Sequence, residues 1–166
     1  MAITYDPIST TTLGSAGTVT FTSLPTTYTD LKIIISGGES GGSAAFSYRF
    51  NGDSGNFYSW TALYANASAM NGSSTNLFTA GQLYGAAGTA TQGLTEFTIF
   101  DYTNSAINKY SVAKHVNVSS GIYNGGTIMG KWTNTAAITS IQIGGANSVG
   151  NLTAGTTVSL YGIKRA

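Results

Sequence analysis

Apolar and polar side chains alternate with a period of two along most of this chain, in short runs separated by Gly- and Asn-rich breaks. A strand places successive side chains on opposite faces, so such runs suit half-buried strands and cannot give a helix an apolar stripe. Thr18-Val19-Thr20-Phe21-Thr22 alternates throughout. Phe46-Ser47-Tyr48-Arg49-Phe50 puts its aromatics on one face and Arg49 on the other. Leu31-Lys32-Ile33-Ile34-Ile35 is more apolar, as in a strand covered on most of both faces. Residues 57–64, 95–102, 110–116, 127–132, 138–143 and 157–163 are further strands, rich in β-branched or aromatic residues that fit a pleated surface. No stretch of ten or more residues keeps an apolar period of 3.6.

Turn chemistry separates these runs. Asn51-Gly52 follows 46–50 directly and suits a tight hairpin, because both residues tolerate φ > 0. Asn71-Gly72, residues 85–88 and Asn124-Gly125-Gly126 mark other turns. Residues 65–93 are small and polar and read as a long excursion from one end of the fold. Nine or ten short strands at this spacing predict an all-β fold, an antiparallel β-sandwich of jelly-roll type. No linker, charge block or repeat divides the chain, so residues 1–166 are expected to form a single domain.

Composition narrows the function classes. Only 8% of the 166 residues are charged, seven Lys and Arg against six Asp and Glu. That balance gives no electrostatic case for nucleic acid or an anionic membrane. The 42% hydrophobic content argues against disorder, which needs low hydrophobicity or high net charge. A nearly uncharged surface also offers little repulsion against self-association, which suits a protein that lives in an assembly. There is no Cys, and residues 1–7 carry neither a basic start nor an apolar run, so a soluble protein made in a cytoplasm is expected. The sequons at Asn66, Asn71, Asn117 and Asn151 are then chance matches.

Few groupings carry chemistry. Gly38-Glu39-Ser40-Gly41-Gly42 resembles a serine-protease nucleophile motif, but the single His, His115, lies downstream where that family has its His and Asp upstream. A Gly/Ser turn is the plainer reading. A lone His without Cys makes no zinc site. Of the six carboxylates, Glu96 and Asp101 fall on one predicted strand at odd spacing and so face opposite ways, which does not make a glycosidase pair. Residues 51–56, Asn-Gly-Asp-Ser-Gly-Asn, have oxygen donors suited to Ca²⁺ but not the EF-hand spacing, and read as a turn. No catalytic, cofactor or metal residue is expected, and the protein is read as no enzyme. Tyr58, Trp60 and Tyr64, with Tyr123 and Trp132, are the candidate ligand or interface aromatics, core packing being the plainer role for such alternating rings.

Three stretches carry a resemblance. They are Ile8-Ser9-Thr10-Thr11-Thr12-Leu13-Gly14 with the Val19–Pro25 and Tyr28–Leu31 segments, Phe50-Asn51-Gly52-Asp53 through Asn56-Phe57-Tyr58, and Ala137–Ile141 with the terminal Ala154–Lys164. Together they resemble small β-sandwich virion-surface proteins of tailed bacteriophages, cyanophages among them, over nearly the whole chain. The resemblance implies a capsid decoration or cement protein bound to the outer surface of the major capsid lattice. The alternative is a receptor-binding tail-fibre or baseplate tip that recognises a host surface glycan; a third is a carbohydrate-binding module outside any virus. It further implies a homo-oligomer, a trimer for choice, with the major capsid protein or other virion proteins as partners. Assembly in the host cytoplasm, no nucleic acid and no membrane insertion complete the expectation. The chain is short and without heptads or a stalk, as expected of a complete decoration protein rather than a fibre.

Overall fold

The computed structural model describes residues 4–41, 45–66, 69–84, 86–87, 93–119, 122–145 and 149–164. They form β1 (Thr4–Thr12), β2 (Val19–Phe21), β3 (Asp30–Glu39), β4 (Ala45–Phe50), β5 (Tyr58–Asn66), β6 (Ala69–Phe78) and β7 (Gly81–Tyr84). Then follow β8 (Ala86–Ala87), β9 (Gly93–Phe100), β10 (Lys109–Ser119), β11 (Ile122–Trp132), β12 (Ile141–Gly145) and β13 (Thr157–Lys164). Every run read as a strand in the sequence overlaps one, although residues 101–102 and 138–140 fall outside β9 and β12, and no helix occurs among the described residues. The count among the described residues is thirteen rather than nine or ten.

The strands form two sheets. The larger runs β1-β13-β3-β9-β10-β11-β5-β6, with β8 beside β3, and the smaller β2-β12-β4-β7. Eight strands carry the fold by nested antiparallel pairing: β1 with β13, β2 with β12, β3 with β9 and β4 with β7. Those pairs alternate between sheets and lie in the orders β1-β13-β3-β9 and β2-β12-β4-β7, which is the jelly-roll arrangement. The hairpins β5–β6 and β10–β11 are additions that widen the larger sheet to eight strands in line.

The core lies between the sheets. Leu31, Ile33, Ile35, Phe97 and Ile99 project from β3 and β9 against Phe46, Tyr48 and Phe50 of β4, all 0–1% exposed. Each set sits at alternate positions of its strand, as the sequence pattern requires. Tyr48 contacts Phe97 with ring centroids 4.6 Å apart, and Phe50 meets Trp132 edge-on at 5.5 Å. Such pairs add about 0.5–1.5 kcal/mol each beyond burial. Burial pushes the Tyr48 hydroxyl up to about 12, although it still bonds Ser111 Oγ at 3.2 Å.

Several expectations are corrected. Asn71-Gly72 and Asn124-Gly125-Gly126 are not turns but lie within β6 and β11. Asn51 and Gly52 do have positive φ (53° and 69°), and Asp53 N–H closes the turn on Phe50 O at 2.9 Å. The turn is not a hairpin, however. It passes the chain from β4 in the small sheet to β5 in the large one, because Tyr58 packs inward and donates to Asp53 O while accepting from Phe50 N–H. Residues 65–93 are not a loop excursion either. Within their described part, β6 pairs along β5 and β7 completes the small sheet. Gly81 permits this, since a Cβ there would lie 2.0 Å from Cζ of the buried Tyr48.

Candidate interaction surface

The two sheets turn very different surfaces outward. The small sheet presents Thr20, Arg49, Gln82 and Gln142, all polar. The large sheet carries eight of the ten exposed large hydrophobic residues among those described: Tyr5, Leu63, Met70, Leu94, Phe100, Tyr110, Val116 and Met129. The cause lies in β9 and β10. The buried side of β10 is mostly polar (Lys109, Ser111, His115 and Asn117), and its Tyr110, Val112 and Val116 are left outside beside Leu94 and Phe100 of β9.

Register sets these groups in rows. Leu94 lies beside Val116, Glu96 beside Lys114, Thr98 beside Val112 and Phe100 beside Tyr110. On the next strand Lys32 sits level with Thr98, and Ile34 with Glu96. Lys32 Nζ donates to Glu96 Oε1 at 2.6 Å and stands 4.8 Å from the Tyr5 ring centroid. Glu96 raises the Lys32 pKa against the lowering effect of its burial. A groove of about 360 Å³ crosses this face, with Tyr5, Phe100 and Ile163 as apolar walls and Lys32, Glu96 and Lys114 as polar ones.

The aromatics singled out from sequence divide. Tyr58 and Trp132 are 0% and 1% exposed, stacked at 6.3 Å inside the core, and are closed to any ligand. Trp60 and Tyr64 are half-buried and point inward, where both rings pack on Tyr84 of β7. The side chain of Tyr123 lies outside the described residues. None of the four described rings is on the apolar outer face.

The chemical motifs resolve into structural roles. Ser40 Oγ donates to Asn151 O at 3.0 Å. His115 shares a row with Ile35 through Thr95, two strands from β3. Ser40 lies five residues beyond Ile35, about 16 Å along the strand, so the two are not joined. His115 is 7% exposed, its ring 5.3 Å from that of Tyr84, and its Nδ1 has no hydrogen-bond partner among the described residues. Burial alone pulls its pKa down to about 4. Glu96 faces outward, and Asp101 lies past the end of β9 at a positive φ of 46°.

The turn at 51–56 is a junction of hydrogen bonds. Asp53 Oδ1 accepts from Gly55 N–H at 2.9 Å and Oδ2 from Trp132 Nε1 at 2.8 Å. Asn51 Oδ1 accepts from the backbone of Thr139 and Ser140, tying the turn to the segment before β12. Sequence reading missed Lys109. It is 1% exposed, and its Nζ donates to the carbonyls of Asn104, Ile107 and Thr135 at 2.6, 2.9 and 2.8 Å. Burial lowers its pKa. A Lys followed by a strand gives no sequence sign of this, since Lys is almost always exposed.

No three His, Cys, Asp or Glu side chains gather at one place among the described residues. Compared with known proteins, the chain matches no family model, no curated protein and no solved structure. The fold it defines is a jelly roll with one apolar outward face.

Proposed function

We propose that the protein is a non-enzymatic structural component of a phage virion surface, a capsid decoration or cement protein. The observation that carries this reading is the outer face of the large sheet. Patches of exposed apolar side chains this extensive belong to proteins that work inside assemblies. The sequence resemblance supplies the kind of assembly, and the jelly roll suits a rigid unit on a particle surface. The contact with the major capsid lattice falls mostly to neutral groups, strand edges, Thr and Asn hydroxyls and amides, and aromatics, because few charges are available. It therefore resists salt.

A second reading has its own support. The groove between Tyr5 and Phe100 combines aromatic walls with Lys32, Glu96 and Lys114, a mixture that could hold a sugar, as in a tail-fibre or baseplate tip that binds host glycan. Electron microscopy that locates the protein on the particle separates the two. Particles with and without the protein are then heated or osmotically shocked at low and high salt. A cement protein raises survival at both; equal survival with lost host attachment rejects cement and favours the tip.

A further inference from the structure

We infer that two copies of this chain pack face to face through the outer surface of the large sheet, about a two-fold axis that runs along the strands between β9 and β10. These are the fourth and fifth of the eight strands in line, so the axis bisects the face. Rotation about it keeps each row of side chains at its level and reverses its order. A residue on β9 then meets the residue beside it on β10, but from the second copy. A two-fold contact is self-complementary only if such pairs match.

They do match, row by row. Leu94 meets Val116 of the second copy, Phe100 meets Tyr110, Thr98 meets Val112 and Glu96 meets Lys114. The four apolar members are each between 37% and 50% exposed, so all have surface to lose. Glu96 keeps Lys32 as an in-plane partner, leaving Lys114 to approach it from above. The axis is selective: one laid across the strands through the middle of the four rows would set Glu96 over Thr98 and Lys114 over Val112, losing the charge pair between the copies. The area is sufficient. Eight strands each about 4.8 Å wide and four rows each about 6.6 Å deep give a face of roughly 1,000 Å², against about 800 Å² per partner in a standard interface. The two sheets would stack about 10 Å apart like those of a sandwich.

This inference uses the same apolar face as the virion reading but needs no virion, and purified protein alone decides it. It departs from the three-fold arrangement that the resemblance implies, since a trimer needs two different patches on each copy. It also closes the groove, so dimer and glycan compete for one face.

Light scattering should give a dimer for the wild-type chain at micromolar concentration. Leu94→Arg and Val116→Glu, both at exposed positions, should each be monomeric with a native circular dichroism spectrum. Each buries an unpaired charge and weakens the dimer by at least about 100-fold. Mixing the two variants should restore a dimer, because the introduced arginine then meets the introduced glutamate and the native pair meets at the other site. The milder Leu94→Ser and Val116→Ser should weaken association in the same direction. A monomeric or trimeric wild type, a dimer indifferent to these substitutions, or a folded mixture that stays monomeric would overturn the inference. So would a glycan that binds the groove without shifting the protein towards monomer.

Discussion

His115 makes stability depend on pH in a range where few other side chains titrate. Its ring lies between the sheets against Tyr84, and burial holds its pKa at about 4, against an ordinary 6.5. Between those values the unfolded chain binds a proton that the folded chain refuses, so stability falls as pH falls from 6.5 towards 4. With these two pKa values, linkage gives a loss of about 2 kcal/mol between pH 7 and pH 5 and about 3.4 kcal/mol once both states are protonated. The test is urea unfolding at pH 7, 6 and 5, followed by Trp fluorescence, on wild type and His115→Phe. The phenyl ring keeps the contact with Tyr84 and cannot titrate. The variant should hold nearly level over this range while the wild type declines. Parallel pH profiles for the two proteins would refute the reasoning and show that His115 takes up its proton in the folded state.

Three further outcomes are expected. Lys109→Met should lower stability by about 3 kcal/mol in thermal or chemical denaturation, because it leaves the carbonyls of Asn104, Ile107 and Thr135 without their shared donor. Asp53→Ala should cost about 2 kcal/mol by removing the acceptor of Trp132 Nε1, and Asp53→Asn should recover part of it, while added calcium leaves the melting temperature of the wild type unchanged. Gly81→Ala should cost about 2 kcal/mol in the same assay, since the new methyl must displace the Tyr48 ring from a packed core.

Strands were legible wherever alternation was backed by β-branched or aromatic residues, as in β2, β4 and β9. The strands that escaped notice have physical reasons to look unlike strands. β1 is an edge strand with Pro7 and a register shift between Pro7 and Ser9, tolerated because one side has no neighbour to bond. β6 is the opposite edge, built of small polar residues that hold shape through pairing with β5 rather than through burial. β7 has only four residues, too few to establish a period. The interaction surface was hidden for another reason. In Leu94-Thr95-Glu96-Phe97 apolar groups occur on both sides of the strand, and along 110–116 the more apolar side, Tyr110, Val112 and Val116, is the one left outside, because only the partner sheet decides which side is covered. Tyr58 and Trp60 share a face, as their spacing requires, yet Tyr58 lies beneath Phe50 while Trp60 lies beside Tyr84. That difference is set by where β4 and β7 cross overhead.

The nested pairing of the jelly roll also has a consequence for how the chain comes into being. β13 is the last strand in the sequence, and it lies between β1 and β3, joined to both by full ladders. While the chain is being synthesised, β1 and β3 therefore have no bond to one another and flank an open slot. Thr4 and Lys164, at opposite ends of the sequence, become direct neighbours only when that slot closes. Contacts of such sequence separation form slowly. Until they form, the apolar edge of β3 is exposed to any passing strand, a hazard of aggregation that the finished fold never shows.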